Sequence, residues 1–418
     1  MSSSTKQFVT RRRVFYVPGY DPFHPRRYRE LHRCEGAKQA AISNYSMDLR
    51  RKTDHGCFGW HVTSKIDEQV CDTDFDVLVW SDIVRSSMDG PILRTYGQLV
   101  RTAWIYTATG AIFRLMKLRK GPVIAALYPV FLLVLQGLAA LLLAWGIYQL
   151  VTWGFGFVRA DSVAGLPILH KFAGAGAGLA AAIRLMRWFK SVDNRLFAHY
   201  LMHDYAYSAS KFGAYTEDLE TRIAEFRSEI RAALCAPCQE VLIVGHSSGA
   251  HLAVSVLADL IRAGEVPANG PALSFLSLGQ VVPMVSFLPK ADRLRADLRF
   301  LSERDEITWV DVTAPGDGCS FALCDPVAVS GVATQASRGP LMFSAAFTQS
   351  LRPETWAKLK RRYFRLHFQY LCAFDQPKDY DYFQITGGPI TLAERYAERK
   401  SSKSCIMRPV NKYTSVAA

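Results

Sequence analysis

The sequence predicts an α/β fold with a mostly parallel sheet, interrupted by an insertion of apolar helices. Three observations lead to this prediction. Short apolar runs with the character of buried strands alternate with helix patterns, and such runs lie on both sides of one long uncharged segment. Half of the 418 residues are hydrophobic and 21% are charged, so the chain can build a large core and an intrinsically disordered chain is excluded. Strands that alternate with helices favour a parallel sheet.

Each predicted element follows from its local pattern. Strands are predicted where short apolar or alternating runs end at turn residues, at positions 14–17, 58–62, 75–80, 240–245, 273–278 and 307–312. Helices are predicted where apolar residues recur with a helical period, at positions 28–41, 216–234 and 250–262. The run at 240–245 is almost entirely apolar, which is typical of a strand that is buried on both faces.

The predicted sheet draws on both ends of the chain. Too few strands precede residue 112 to form a fold alone, so we expect both segments to build one sheet around the insertion. The predicted organisation is an N-terminal part of the α/β domain at 1–112, a transmembrane helical hairpin at 113–190, a C-terminal part at 191–400 that carries the site, and a mobile tail at 401–418.

The insertion contains the candidate membrane spans. The stretch between Lys120 and Arg159 contains no Asp, Glu, Lys, Arg or His, and it is longer than the roughly 20 residues with which a helix crosses a bilayer. A second and weaker candidate at 163–183 carries His170 and Lys171. A very apolar buried helix is the alternative explanation for the first stretch. We expect the two stretches to form a hairpin in the membrane.

Charge orients the predicted hairpin. Basic residues precede it and follow it, whereas its short connection holds only Arg159 against Asp161: the flanking residues are Arg114, Lys117, Arg119, Lys120, Arg184, Arg187 and Lys190. The positive-inside rule therefore predicts a multi-pass protein of the inner membrane with its α/β domain on the cytoplasmic side. The odd number of cysteines, nine, agrees with a reducing compartment.

The same basic flanks account for part of the formal net charge of +13. They would attract the anionic headgroups of membrane lipids. The sequence has no recognised nucleic-acid-binding motif, so membrane lipids rather than nucleic acid are the expected partners. The sequence does not indicate an oligomeric state.

The strongest chemical signal is the run Gly245-His246-Ser247-Ser248-Gly249, which lies between a predicted strand and a predicted helix. At such a place a G-x-S-x-G pattern forms a sharp turn that exposes the serine hydroxyl above the sheet. Gly245 and Gly249 would let strand and helix approach each other, and the N–H of Ser248 would face a developing oxyanion. An ordinary glycine-rich turn is the alternative.

In this context the chain resembles the α/β-hydrolase superfamily, and the form G-H-S-x-G resembles its lipase and esterase members. The resemblance covers the soluble segments and not the hairpin. It implies that Ser247 is a nucleophile and that an acid and then a histidine follow it in the chain. Of the histidines, His251 and His367 follow Ser247. His251 lies on the helix directly after the serine and cannot turn back to it, so His367 is the predicted base.

The resemblance also places the acid in a loop after a late strand, where it orients the histidine. Asp317 lies in a Pro/Gly turn directly after the strand at 307–312 and is the preferred candidate. Asp311, within that strand, and Asp325, on a further loop, are the alternative acids. An aspartate that only caps a turn is the alternative without a catalytic role.

The second oxyanion donor is expected in the loop after the first strand. The run Val17-Pro18-Gly19-Tyr20-Asp21 resembles the family's His-Gly loop, with Pro18 where the family often has histidine. The backbone N–H of Tyr20 is the predicted donor, and Gly19 would allow the substrate to approach closely. A turn that merely ends the strand is the alternative.

Together these features predict a membrane-anchored serine hydrolase that cleaves an ester or thioester of a small-molecule or lipid-like acyl substrate. A non-catalytic binding or scaffolding protein with the same fold, and an acyltransferase with the same site, are the alternatives. No cofactor is expected. No metal site is expected either, because His199 and His203 lack further ligands in their motif and the pair Cys235 and Cys238 lacks a second pair.

Overall fold

A mixed sheet of eight strands lies at the centre of the computed structural model, which describes residues 8–52, 56–156 and 166–417. Its strands are β1 (Arg11–Val17), β2 (Ser46–Arg51), β3 (Gly59–Ile66), β4 (Gln69–Val77), β5 (Glu240–His246), β6 (Ala272–Leu278), β7 (Ile307–Thr313) and β8 (Leu341–Ser344). Their order across the sheet is β2-β3-β4-β1-β5-β6-β7-β8. Strands β4, β1 and β5 to β8 pair in parallel, whereas β3 pairs antiparallel with β2 and β4. The predicted α/β class with a mostly parallel sheet is confirmed.

The helices connect these strands and form the insertion. In chain order they are α1 (Arg26–Ser43), α2 (Ser81–Met88), α3 (Ile92–Ala108), α4 (Ala111–Leu118), α5 (Lys120–Gly156), α6 (Leu166–Ser191), α7 (Asp193–Leu196), α8 (Ala198–Ala209), α9 (Glu217–Leu234), α10 (Gly249–Arg262), α11 (Pro283–Ser286), α12 (Asp292–Ser302), α13 (Pro326–Val329), α14 (Phe347–Ser350), α15 (Pro353–Leu359), α16 (Tyr363–His367), α17 (Tyr382–Gly387) and α18 (Leu392–Arg395), with a 3₁₀ turn at Gln369–Leu371. The three helices predicted from periodicity correspond to α1, α9 and α10.

The strands that sequence patterns identify are the buried ones. Every residue of β5 is buried, as its apolar run indicates. Strands β2 and β8 were not predicted, and both lie at the edges of the sheet. Strand β2 reads Ser-Met-Asp-Leu-Arg-Arg and is mostly exposed, and β8 has four residues. A polar, exposed strand such as β2 has no apolar pattern, and a strand of four residues such as β8 is too short to show one.

The position of β1 creates a crevice at one edge of the sheet. From β1 the chain continues to β2, β3 and β4 on one side, whereas from β5 it continues to β6 on the other side. The connections that follow β1 and β5 therefore leave in opposite directions. In parallel sheets, ligands usually bind at such a divergence, outside the carboxyl ends of the strands. The loop at Pro18–Asp21 and the turn at Ser247 both lie there.

The chain divides into two compact units, Met1–Ser87 with Ile105–Val123 and Ser208–Ala418, and Met88–Trp104 with Ile124–Tyr207. The first unit contains the whole sheet, so strands from both sides of the insertion pair with one another. In the second unit, α5 and α6 pack closely, because a Cβ placed on Gly178 would lie 2.5 Å from the carbonyl oxygen of Ala144.

Among the described residues, one helix is long and apolar enough to cross a membrane. It covers Lys120–Gly154, has a mean hydropathy of 2.4, and is 17% buried in its most apolar window. A buried core helix, the alternative from the sequence, does not fit that exposure. The second predicted span falls on α6, which does not reach the same apolarity; positions 163–165 and the connection with Arg159 and Asp161 lie outside the described residues.

The C-terminal segment is attached to the first unit, which corrects the expectation of a mobile tail at 401–418. The backbone of Ile406 donates to Leu323 at 2.7 Å and accepts from Asp325 at 3.0 Å. Further along, the Asn411 amide donates to the carbonyl of Ser286 at 2.9 Å. Several residues between 402 and 411 therefore have backbone partners, and the polar sequence of the segment does not mean disorder; residue 418 lies outside the described residues.

Candidate active site

Ser247 occupies a sharp turn between β5 and α10. Its φ is 57°, in the left-handed region that serine rarely adopts, so the surrounding structure must hold it there. Its N–H donates to the carbonyl of Leu278 on the neighbouring strand β6 at 2.9 Å. His246 and Ser248 on either side are buried, whereas Ser247 is partly exposed. The turn thus leaves Ser247 as its accessible residue.

Close packing explains the glycines of this turn. A Cβ on Gly249 would overlap the carbonyl oxygen of Val17 at the end of β1, and a Cβ on Gly245 would lie 2.8 Å from Cα of Ala250. Neither contact is possible for a real side chain, so β5, α10 and β1 approach each other this closely because both positions are glycine. A Cβ on Gly19 would lie 3.0 Å from Cβ of Ser247, which places the loop after β1 directly against the turn.

His367 and Asp317 form a buried pair. His367 is the last residue of α16, and its Nδ1 lies 2.7 Å from Oδ2 of Asp317, in the turn after β7. Asp317 also accepts the N–H of Cys319 at 2.9 Å and the hydroxyl of Tyr370 at 3.0 Å. Since an ionised carboxylate only accepts, Nδ1 of the imidazole donates in this bond, and Nε2 is the ring nitrogen that the bond does not use.

The surroundings of Asp317 favour its ionised form. Burial alone would raise its pKa, but the attraction of His367 and the hydrogen bonds from His367 and the Cys319 amide more than offset that effect. The pKa of Asp317 therefore lies below the usual value for an aspartate. A buried aspartate that stays ionised can hold an adjacent imidazole in one orientation and stabilise its positive charge.

His367 and Ser247 are held to the same stretch of β6. Ser247 bonds to the backbone of Leu278, and a Cβ placed on the next residue, Gly279, would lie 3.1 Å from Cε1 of His367. The imidazole also lies over the ring of His246, with 4.9 Å between centroids. The structure thus brings three sequence-predicted residues, Ser247, Asp317 and His367, to one edge of the sheet.

The two alternative acids have other partners. Asp311 accepts the hydroxyl of Ser277 at 2.6 Å, and burial raises its pKa to about 7. Asp325 accepts the N–H groups of Val327 and Ala328 and so caps the start of α13. Burial raises the pKa of Asp325 as well. Of the three candidates, Asp317 is the aspartate that contacts His367.

The predicted oxyanion donors lie next to each other, but one of them is engaged. The N–H of Tyr20 donates to Oγ of Ser248 at 2.8 Å. The loop itself is anchored, because the indole N–H of Trp80 donates to the carbonyl of Pro18 at 2.9 Å. An oxyanion that uses the Tyr20 amide must therefore displace the Ser248 hydroxyl. The Ser248 amide lies at the N-terminus of α10, where the helix dipole favours negative charge.

Sequence reasoning missed two residues that support this pair. Tyr370 donates to Asp317 and accepts the N–H of Ala314 at 2.9 Å, so it links two parts of the turn that carries the acid. Gly279 has a φ of 54°, and a Cβ there would lie 2.7 Å from the Tyr370 ring. Tyr370 lies three positions after His367, but neither Tyr370 nor Gly279 belongs to a sequence pattern that predicts a role.

One group of side chains in the described part of the chain has the ligands and spacing of a metal site. Single ligand atoms of Asp317, Cys319 and His367 all lie within 4.8 Å of one another. Burial and the charge of Asp317 raise the pKa of the Cys319 thiol well above its usual value, and a protonated thiol is a poor ligand. A metal would also have to separate Asp317 from His367. His199 and His203, both buried on α8, belong to no larger group of this kind among the described residues.

The arrangement has the parts that acyl transfer to a serine requires. A partly exposed serine on a strained turn and a hydrogen-bonded pair of a histidine and a buried aspartate lie at the carboxyl edge of a parallel sheet. Comparison of the chain with protein-family models, with curated proteins and with solved structures finds no match.

Proposed function

We propose that this protein is a membrane-anchored serine hydrolase of the α/β-hydrolase type that cleaves esters or thioesters. The observation that carries the proposal is the 2.7 Å hydrogen bond between His367 and Asp317, two segments far apart in sequence that meet beside the strained turn of Ser247. The order serine, acid, histidine along the chain agrees with the resemblance stated above. Fold alone would not support an activity, so the proposal depends on these side chains.

The proposed reaction has two halves. Oγ of Ser247 attacks the carbonyl carbon of the substrate while Nε2 of His367 takes the hydroxyl proton. The tetrahedral intermediate then expels an alcohol or thiol, which receives that proton, and the acyl group remains on Ser247. Water attacks the acyl-enzyme, His367 takes a proton from the water and returns it to Oγ, and the carboxylic acid leaves. Asp317 stays ionised and holds Nδ1–H throughout.

The oxyanion would be stabilised by the amide of Ser248, with the amide of Tyr20 as the second donor once the Ser248 hydroxyl has moved aside. Both amides belong to segments held by tight backbone contacts, Ser248 at the N-terminus of α10 and Tyr20 in the loop after β1. The Ser248 amide needs no such rearrangement, and pre-positioned donors of this kind contribute strongly to acyl transfer.

The membrane anchor in this proposal is a hairpin of α5 and α6. Strand β1 precedes the insertion and pairs with β5, which follows it, so both ends of the insertion must lie on one side of a membrane. A single crossing by α5 would separate them, and α6 supplies the return. Helix α6 has 26 residues, which is long enough to span. Most exposed large apolar side chains also lie between residues 93 and 188.

The position of the anchor suggests an acyl substrate that partitions into or onto lipid. The basic flanks support a cytoplasmic position of the α/β unit by the positive-inside rule. An acyltransferase would use the same residues and differ only in the acceptor, an alcohol in place of water. A non-catalytic scaffold would keep the fold without an activated Ser247.

A fluorophosphonate probe tests the proposal, because it reacts with a serine that a base activates. The wild-type protein in detergent should be labelled on Ser247, and Ser247→Ala should not be labelled. Ser255→Ala is the matched control, since Ser255 is a buried serine on α10 whose hydroxyl contacts Tyr215 at 3.1 Å. Equal labelling of wild type and Ser247→Ala, or no labelling of a folded wild type, contradicts the proposal. Graded esters with and without an added alcohol then separate hydrolysis from acyl transfer.

A further inference from the structure

His246, the residue before the proposed nucleophile, is bonded to the backbone of His367. Its Nε2 lies 3.0 Å from the carbonyl oxygen of His367, and its side chain is buried. A carbonyl oxygen only accepts, so Nε2 of His246 must carry the proton and donate it. Burial, with repulsion from His367, lowers the pKa of His246 to about 3, so the ring stays neutral in this role.

The carbonyl that receives this bond needs a donor. His367 ends α16, a helix of five residues, and the last carbonyls of a helix have no partner within it. The chain then turns into the 3₁₀ segment, where the hydroxyl of Tyr380 donates to the carbonyl of Tyr370 at 2.6 Å. The segment that carries His367 is therefore not held by a strand or a long helix. It depends on side chains that reach it from elsewhere.

His246 and Asp317 hold His367 at two different points. Asp317 binds the ring through Nδ1, and His246 binds the backbone of the same residue. His246 also contacts the rings of His367 and Phe368, with centroids 4.9 and 5.1 Å away. One restraint fixes how the imidazole is turned, and the other fixes where its backbone lies relative to β5.

We infer that His246 is a positioning residue that keeps His367 in register with Ser247, an inference that rests on the proposed function. Ser247 follows His246 directly, so one peptide unit connects the nucleophile to the side chain that holds its base. A displacement of α16 would otherwise move the imidazole relative to Gly279 and the turn of Ser247. The titratable and charged groups that act on His246 are His367, Asp317 and Arg27. With a pKa of about 3, His246 itself does not change its charge near neutral pH.

The test separates the hydrogen bond from simple filling of space. His246→Phe keeps a ring of similar size without a donor, and His246→Gln keeps an N–H near the position of Nε2. We expect His246→Phe to slow acylation by about 10- to 100-fold at its pH plateau with little change in KM, because a misplaced base costs rate and not ground-state binding. His246→Gln should recover most of that loss.

His251→Phe is the matched control. His251 is a second buried histidine, close in sequence to the turn, whose Nδ1 lies 3.3 Å from the Tyr215 hydroxyl. The His251→Phe variant should alter thermal stability without changing the pH profile or the kcat of acylation. If His246→Phe fails to fold, comparing His246→Gln with His246→Met, a side chain of similar length without a donor, decides the same point.

Two results would overturn the inference. His246→Phe could acylate within twofold of wild type, or His246→Gln could be as slow as His246→Phe, which would assign the effect to ring packing. Both are distinct from failure of the proposed function, in which the folded wild type is itself not labelled on Ser247. A slow His246→Phe with recovery in His246→Gln supports the positioning role.

Discussion

Asp317 and Asp311 are both buried, and their surroundings shift their pKa values in opposite directions. Asp317 has His367 and two further donors beside it, which keep its pKa below the usual value. Asp311 has the Ser277 hydroxyl as its partner, and burial raises its pKa to about 7. Both residues are aspartates and lie close together in the chain, so the difference between their pKa values is set by their neighbours.

The role of Asp317 predicts a specific loss in Asp317→Asn. An asparagine amide would donate to Nδ1 of His367, which forces the imidazole proton onto Nε2 and removes its ability to accept from Ser247. We expect the rate of fluorophosphonate labelling to fall by roughly a thousandfold or more with the fold retained. Asp325→Asn is the control, because asparagine also caps helices well and α13 should be unaffected. Equal losses in both variants would argue against Asp317 as the acid.

Asp311 predicts a pH dependence of stability. Its pKa in the folded protein lies above that of an unfolded aspartate, so between about pH 4 and pH 7 the folded chain keeps a proton that the unfolded chain has lost. The contribution of Asp311 to stability is therefore complete below that window and is lost as the pH rises through it. Thermal unfolding of wild type and Asp311→Asn at pH 5 and pH 8 measures this. The Tm of the variant relative to wild type should rise with pH, and a constant difference would contradict the assignment.

At the scale of elements, the site depends on the close approach of β1, β5 and α10. Gly249 touches the end of β1, and Gly19 in the loop after β1 touches Ser247. The chain leaves β1 and β5 in opposite directions, which creates the crevice. The two glycine contacts pack the turn of Ser247 and the start of α10 against the end of β1 and the loop that follows it. A change in one of the three elements is therefore expected to move the others.

Gly249→Ala tests that dependence. The added methyl group would overlap the carbonyl oxygen of Val17, so either β1 or α10 must shift. We expect a clear loss of thermal stability together with loss of probe labelling. Gly97→Ala is the control, because a Cβ at this helical position meets no atom within 4 Å and alanine favours helix by about 0.5–1 kcal/mol. A Gly249→Ala variant with unchanged Tm and labelling would show that the approach is looser than described.

At the scale of the whole molecule, the sheet constrains how the chain can meet a membrane. Strands on both sides of the insertion pair in one sheet, so the proposed membrane hairpin has to leave and return on the same side. The apolarity of α5 alone satisfies the criterion for a span. The proposal that α6 returns through the membrane therefore rests on the sheet and not on the composition of α6.

Reporter fusions test the hairpin. Reporters placed before residue 113 and after residue 190 should both report the cytoplasmic side, and a reporter inserted between α5 and α6 should report the opposite side. The physical reason is that β1 and β5 pair in one sheet, so the chain segments before and after the hairpin cannot lie on opposite sides of a bilayer. Terminal reporters on opposite sides would contradict the hairpin, and three cytoplasmic reporters would contradict a membrane span altogether.

The sequence by itself determined the features that depend on local pattern. Strand β5 and helix α10 can be predicted from an apolar run and a helical period. These patterns show which faces of an element are buried and do not depend on which other element covers them. The turn at Ser247 is visible because the G-x-S-x-G spacing between an apolar run and a helical period is a local pattern. The apolarity of α5 is likewise a local property.

Only the tertiary structure decided which distant groups meet. The contact of Asp317 with His367, the engagement of the Tyr20 amide by Ser248, and the bond from His246 to the His367 backbone all join segments from different strands. Strand β2 and the C-terminal segment also escaped prediction because they are mostly polar, and β8 escaped it because four residues are too short to show a pattern. Such pairings depend on how loops converge at one edge of the sheet, and no local pattern encodes that.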